Sequence, residues 1–344
     1  MRRRLVTGVA LAAAGIALAL ASCSGPEWTD GPRVERLSGR EGGAVTFTST
    51  TPYDFADARA GGQPTATVAG QVTFPPEGQT IRGAAILSHG SGGPGGRQTR
   101  MAERLAGQGI VAFALDHFGP RDVDSTVRDQ LRLTAQAMLA DIAAARDLLA
   151  THPEIEAGRI GVIGWSKGGI AASLGAVERL AGYVGLADPP LAFAVAFYPF
   201  CGFDLDEEPL SAPLLYLVGE EDDWTPPDPC ARQARAWAEA GQPVEIEVFE
   251  GALHGFDSRT FTSFEIGRAI TVHDTSPACT LTVDGEGNSV TLDGSGGVTT
   301  VAERRAFLDR CGRRGVTFGG DSQARAAAKA RLDSFLDRVL GPSG

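Results

Sequence analysis

Ser166 stands at the centre of Gly164-Trp165-Ser166-Lys167-Gly168, with an apolar run over 160–163 before it and Gly169-Ile170-Ala171-Ala172-Ser173-Leu174 after it. A strand running through such a turn into a small-residue helix exposes the serine hydroxyl on a strained backbone, as a nucleophile requires. Gly164 and Gly168 flank the turn, where a Cβ would collide with the neighbouring strand or helix. The helix then directs its free N–H groups and positive dipole end at whatever the serine attacks. The spacing alone is common; the strand–turn–helix context gives it meaning.

A serine hydroxyl attacks at neutral pH only with a base beside it, and that base needs an orienting acid. The chain holds five histidines. His89 opens a glycine-rich loop, His117 follows a different strand, His152 precedes the nucleophile strand, and His273 lies in a late segment of mixed character. His254, in Ala252-Leu253-His254-Gly255, directly follows the last apolar strand, where a base for Ser166 belongs. The acid should end the strand before that one, and Gly219-Glu220-Glu221-Asp222-Asp223 offers four acids in a row. Asp222 is the first choice and Asp223 the second. The order serine, acid, histidine, with each residue at a strand end, suits a nucleophilic triad.

An acyl-transfer site also needs two N–H groups aimed at the developing oxyanion. Lys167, the residue after the nucleophile, supplies one. His89-Gly90-Ser91-Gly92-Gly93-Pro94-Gly95-Gly96 follows an earlier apolar strand and should supply the other, from Ser91 or Gly92. Nothing places a base beside Ser91 to make it a second nucleophile. The loop is a poor phosphate cradle too, since no Gly-Lys-Ser/Thr follows it. Arg97 and Arg121 lie just beyond this loop and the His117 segment and are candidates to hold a substrate carboxylate. Trp165 and Trp224, beside nucleophile and acid, are candidates to wall an apolar acyl pocket.

Positioning these groups calls for a parallel sheet. Alternating strands are expected over 44–49 and 67–74, continuous apolar strands over 84–88, 110–115, 191–196 and 214–218, and a last strand over 244–249. Helical spacing covers 99–107, 127–149 and 321–340. Such alternation predicts an α/β fold, a mostly parallel doubly wound sheet with helices on both faces. An insertion over about 258–318 precedes the last helix. Its Asp284-Gly285-Glu286-Gly287-Asn288 lacks the spacing and terminal glutamate of a calcium loop and reads as a hairpin turn.

Arg2-Arg3-Arg4, an apolar alanine-rich run over 5–20 and Leu20-Ala21-Ser22-Cys23 read as an export signal over 1–22. The box resembles a bacterial lipoprotein signal, which implies lipidation of Cys23 and a membrane-anchored protein of the cell envelope. The polar, Gly/Pro/Arg-rich stretch over 23–43 reads as a flexible tether to a domain over 44–341. Removing the signal deletes three arginines and no acids, so the formal charge moves from −11 to −14, which excludes phosphate-backbone binding to nucleic acid. Cys201, Cys230, Cys279 and Cys311 are then free to pair in an oxidising compartment. Three connectivities are open; proximity in the expected fold favours 201–230 with 279–311.

His89-Gly90-Ser91-Gly92-Gly93, Asp116-His117-Phe118-Gly119-Pro120-Arg121, the 164–169 elbow, Tyr198-Pro199-Phe200-Cys201, the 219–226 segment and His254-Gly255-Phe256-Asp257 together resemble the dienelactone hydrolase family of α/β-hydrolases, in an extracytoplasmic serine branch. The resemblance runs over about 68–339. It implies Asp222 as the acid, from Gly219-x-x-Asp222-x-x-x-Pro226, and His254 as the base. The family's founding members carry cysteine where this chain has Ser166, so ordinary ester hydrolysis is expected ahead of dienelactone specificity. The expected protein is a serine hydrolase cleaving small-molecule carboxylic esters or lactones, with no metal or organic cofactor. A peptidase or acyltransferase on the same fold, or a non-catalytic ligand-binding lipoprotein, are the alternatives.

Overall fold

Along the strand Gly83–Ser88, Ala84 and Ile86 leave one face and Ala85 and Leu87 the other, and all four are fully buried. A strand apolar on both faces needs cover on both. The computed structural model, which describes residues 28–260 and 262–342, provides it. The expected signal segment and Cys23 lie outside the described residues.

Eight strands form the central sheet: β1 (Gly43–Thr50), β2 (Thr65–Thr73), β3 (Gly83–Ser88), β4 (Ile110–Asp116), β5 (Ile160–Trp165), β6 (Ala194–Phe197), β7 (Leu214–Gly219) and β8 (Val244–Phe249), in the spatial order β1-β2-β4-β3-β5-β6-β7-β8. β1, β2 and β4 pair antiparallel, and the remaining pairs are parallel. The helices are α1 (Phe55–Ala60), α2 (Gly96–Gly107), α3 (Ala135–Ala150), α4 (Lys167–Leu174), α5 (Glu178–Tyr183) and α6 (Pro227–Glu239), with α7 (Val301–Cys311) and α8 (Ser322–Leu340) near the C-terminus. Side chains of α3, α4, α5 and α6 join one core with Ile86, Val162 and Leu214. Those of α2 and α8 join a second core with Leu87, Ile163 and Leu215. This is the α/β-hydrolase fold. The strand order reverses where β5 pairs with β3, so Ser88 sits opposite Gly164 and the loops leaving the two strands lie side by side. Ligand sites in open α/β sheets form at such a reversal, beyond the strands' carboxyl ends.

Two expectations about elements are corrected. The segment 127–149 is helical only from Ala135, where Thr134 caps α3 by accepting from Ala137 N at 3.1 Å. Before it the chain makes a single 3-10 turn, Gln130–Arg132, whose apolar neighbours face the interior without being helical. Nor is the stretch before β1 a free tether from residue 28 onward. Trp28 is buried in the second core, Val34 N and Thr46 N exchange hydrogen bonds with Thr46 O and Pro32 O, and Leu37 N donates to Thr151 Oγ1.

The insertion carries β9 (Phe264–Glu265), β10 (Ile270–Val272), β11 (Leu281–Val283), β12 (Ser289–Thr291), α7, β13 (Gly312–Arg314) and β14 (Thr317–Phe318), with β10·β13, β11·β12 and β9·β14 pairing antiparallel. Ladders this short are not stable alone. The Cys279–Cys311 disulfide staples them, a link of a kind that contributes roughly 2–5 kcal/mol. Buried Asp54 adds a second anchor, accepting from Ser289 N at 2.8 Å and Ser289 Oγ at 2.6 Å and pairing with Arg304 at 3.1 Å. Cys201 pairs with Cys230, so both favoured connectivities are present. Asp284 closes the β11–β12 hairpin, its carboxylate taken by the N–H groups of Glu286 and Asn288, as a turn requires.

Candidate active site

β5 delivers the chain to Ser166 at φ 51° and ψ −115°, a left-handed-side conformation that costs a serine on the order of 1–3 kcal/mol. The turn is that tight because its neighbours touch. A Cβ on Gly164 would lie 2.0 Å from Gly168 O, and one on Gly168 would lie 2.1 Å from Ser88 O. Ser166 N donates to Phe197 O at 2.8 Å, which fixes the elbow against β6.

His254 is 2% exposed, on the loop after β8, and its Nε2 lies 3.0 Å from Ser166 Oγ. Its Nδ1 lies 2.8 Å from Asp222 Oδ2. The carboxylate accepts only, so Nδ1 carries the proton and Nε2 presents its lone pair to the serine. Asp222 is itself held, its Oδ1 accepting from Trp224 N at 2.9 Å and Thr225 N at 2.8 Å. Tyr198 and Trp224 pack their rings on the imidazole, with centroids at 4.6 and 4.7 Å, and confine its plane. Asp223 points elsewhere: it accepts from Thr317 N at 2.7 Å and Thr317 Oγ1 at 3.0 Å, tying β14 to the body. Thr225 and Tyr198 were missed as parts of this constellation. Their only local signal is position, at a strand end and just after the acid.

The Lys167 amide begins α4, where a helix leaves its N–H groups without an intrahelical partner. Ser91 faces the same cavity as Ser166 and Lys167. That cavity has a volume of about 180 Å³ and its walls are mainly apolar. The body contributes Leu131, Ile170, Phe200, Phe203 and Trp224; the insertion contributes Ile270, Val272, Leu281, Val298, Phe307 and Leu308. The insertion thus builds half of the wall. Arg304 also lines the cavity but is committed to Asp54.

Of the other expected pocket residues, Trp224 lines the cavity and Trp165, Arg97 and Arg121 do not. Trp165 is fully buried, stacks on Phe197 and donates Nε1–H to Asp257 at 2.9 Å, so it is core. Arg97 pairs with the same Asp257 at 3.1 Å. Arg121 grips Asp141 with two bonds of 2.8 Å. Asp141 in turn lies 2.8 Å from His117 Nδ1, whose Nε2 lies 2.9 Å from Ser88 Oγ. This second serine–histidine–aspartate line is fully buried and closed to any substrate. Arg121 thus has its fork filled by Asp141, and Arg97 is turned to Asp257 outside the cavity lining.

Among the described residues no group of three or more His, Cys, Asp or Glu is arranged to hold a metal, and no helix is long and apolar enough to cross a membrane. The unusual titratable group is Lys167. Its side chain is buried in the cavity wall with neutral acceptors, Gln130 O at 2.6 Å and Gln130 Oε1 at 3.0 Å. Burial, and then the Arg304 charge, bring its pKa down to about 7, with Asp129 opposing. Between about pH 7 and pH 10 the unfolded chain therefore binds more protons at this lysine than the folded one, so its contribution to stability grows with pH. Thermal melts should rise more between about pH 7 and pH 9 for the natural protein than for Lys167→Met. Equal slopes would contradict the lowered pKa.

Residues 75–269, more than half of the chain, match the dienelactone hydrolase family. The chain belongs to the dienelactone hydrolase family. A relative from Bradyrhizobium sp., named a probable 2-oxo-3-(5-oxofuran-2-ylidene)propanoate lactonase, is 25% identical over 169 residues, which are 44% of this chain and 64% of that protein. The match thus spans less than two thirds of the curated relative's length. Among solved structures, the propionate-bound esterase 2 of Thermogutta terrifontis shares 20% identity over 55% of this chain and 80% of its own, with a TM-score of 0.45. The same esterase phosphorylated by paraoxon shares 23% identity over 55% and 79%, with a TM-score of 0.44. The part of the insertion after residue 269 lies beyond the family match.

Proposed function

We propose that the protein hydrolyses carboxylic esters or lactones with apolar acyl groups, through an acyl-enzyme on Ser166. The observation that carries this reading is the hydrogen-bonded line Ser166–His254–Asp222 opening onto an apolar cavity. Ser166 Oγ attacks the carbonyl carbon while His254 Nε2 takes its proton, and Asp222 stabilises the imidazolium that forms. The amide of Lys167 and one from the Ser91–Gly92 segment hold the oxyanion. His254 then protonates the departing alkoxide, which in a lactone stays tethered to the acyl group as the ring-opened hydroxyl. Water, deprotonated by the same histidine, releases the acid and restores Ser166. Phe203, Phe307 and Leu281 suit a hydrocarbon acyl chain, whose burial contributes about 0.8 kcal/mol per methylene.

Incubation with a fluorophosphonate should place one adduct on Ser166, and p-nitrophenyl esters should be cleaved while peptides are not. Cleavage of peptides would turn the reading toward a peptidase. A folded protein that takes no adduct and cleaves no ester would leave a ligand-binding role instead.

The same proposal covers location. Two disulfides fit an extracytoplasmic protein, and the Leu20-Ala21-Ser22-Cys23 box supports lipid anchoring at Cys23. A Cys23→Ser chain should leave the membrane fraction; retention there would sink the anchor.

A further inference from the structure

Two successive peptide units of the glycine-rich loop are pinned by their carbonyls. Gly90 O accepts from His89 Nδ1 at 2.8 Å and from Gly93 N at 3.1 Å. Ser91 O accepts from Thr126 N at 2.8 Å and from Ser125 Oγ at 3.0 Å. In a trans peptide the N–H points opposite to the C=O of the same unit. The N–H groups of Ser91 and Gly92 are therefore turned away from these four donors. The loop runs close over the nucleophile, since a Cβ on Gly90 would lie 3.2 Å from Ser166 Cβ.

Those contacts set the direction of the loop's amides. A third set spans the site and acts on their reach. Ser91 Oγ lies 3.1 Å from Gln130 Nε2 and 3.2 Å from its Oε1, and Gln130 accepts from Lys167 Nζ through both Oε1, at 3.0 Å, and its backbone O, at 2.6 Å. Lys167 is the residue whose own amide begins α4 beside Ser166. Its ammonium or amine form offers at least two N–H bonds, so both acceptors are met on either side of neutrality. Gln130 itself is placed by its short turn, where Asp129 accepts from Leu131 N at 3.1 Å. Burying a lysine amine is unfavourable unless its hydrogen bonds are made, and here Gln130 supplies both acceptors.

We propose that the buried Lys167–Gln130–Ser91 bridge is the spacer of the oxyanion hole: through Gln130, the Lys167 side chain holds the loop amides at the distance set by the Lys167 backbone amide. Lys167 side chain and Gln130 are positioning groups, acting through Ser91. The proposal rests on the reading of Ser166 as the acylated nucleophile. It separates two roles of Lys167 on one residue, with the N–H directed at the oxyanion and the Nζ at the opposite lip of the hole.

The test uses Gln130→Met, which keeps size and removes the bonds, Gln130→Glu, which keeps acceptors for Lys167 and Ser91, and Ser91→Ala. With p-nitrophenyl butyrate, Gln130→Met should lose roughly 10- to 100-fold in kcat with KM changed less than about two-fold, as a misplaced oxyanion donor implies. Affinity for an alkyl trifluoromethyl ketone, whose adduct carries the oxyanion, should fall by the same factor as kcat/KM. Gln130→Glu should recover most of the rate. Ser91→Ala should match Gln130→Met, and the double variant should be no worse than either single, because both break one bridge. Wild-type kcat and ketone affinity in both Gln130→Met and Ser91→Ala would overturn the spacer, and Ser91→Ala decides alone if Gln130→Met fails to fold. A natural protein that neither cleaves the ester nor takes a phosphonate would fail at the earlier step, and the spacer would fall with it.

Discussion

Ser166→Ala is expected to lower ester hydrolysis by about 10⁴- to 10⁶-fold in kcat and to abolish phosphonate labelling, with KM little changed. The variant deletes the Oγ that lies 3.0 Å from His254 Nε2 and leaves cavity and amides in place. Residual rate then comes from binding and oxyanion stabilisation alone. Stability should move the other way. Ser166 sits at φ 51°, a region glycine adopts freely, so Ser166→Gly should be as inactive as alanine and melt higher, by roughly 1 kcal/mol of relieved strain. Retention of more than about 1% of kcat in either variant would assign the attack to another group.

Asp222→Asn should cost about 10⁴-fold in kcat, close to the loss of the nucleophile, without unfolding the protein. The substituted side chain can still accept from Trp224 N and Thr225 N through Oδ1. Its amide hydrogens, however, would face His254 Nδ1, now 2.8 Å from a carboxylate oxygen. The imidazole would have to turn its lone pair to Nδ1 and its proton to Nε2, the tautomer that cannot accept from Ser166. Asp223→Asn tests the neighbour. It weakens the bond to Thr317 Oγ1 at the insertion, so about 1 kcal/mol of stability should go while kcat changes only a few-fold. The reverse pattern would make Asp223 the orienting acid.

The Asp222/Asp223 pair shows what an isolated sequence leaves open. Adjacent residues at a strand end point to opposite sides, and which side meets the histidine depends on β8 and its loop, 32 residues further along the chain. The family motif favoured Asp222; the fold brings its Oδ2 to His254 and sends Asp223 to Thr317. A similar ambiguity attended the pocket residues. Trp165 and Trp224 each sit beside a candidate triad member, yet one is sealed in the second core and the other borders the cavity. Arg121 looked free only because its partner, Asp141, lies 20 residues away on α3.

The sequence by itself determined what is local. Apolar runs of five to seven residues became the central strands because strand burial on both faces repeats at every position. The elbow was legible because Gly164 and Gly168 satisfy a steric demand within five residues. The serine–acid–histidine order could be read because each group ends its own strand. Tertiary structure alone decided the shape of the cavity and the fate of every long polar side chain. Gln130 reaches the site because the expected start of α3 is instead a 3-10 turn capped by Asp129, with the helix itself beginning only after its cap at Thr134. Ile270, Leu281 and Phe307 face Ser166 only after one disulfide and the Asp54 anchor have folded short, individually unstable ladders across the sheet's carboxyl edge. Side-chain direction and long-range partners depend on where distant segments dock, and periodicity carries no record of that.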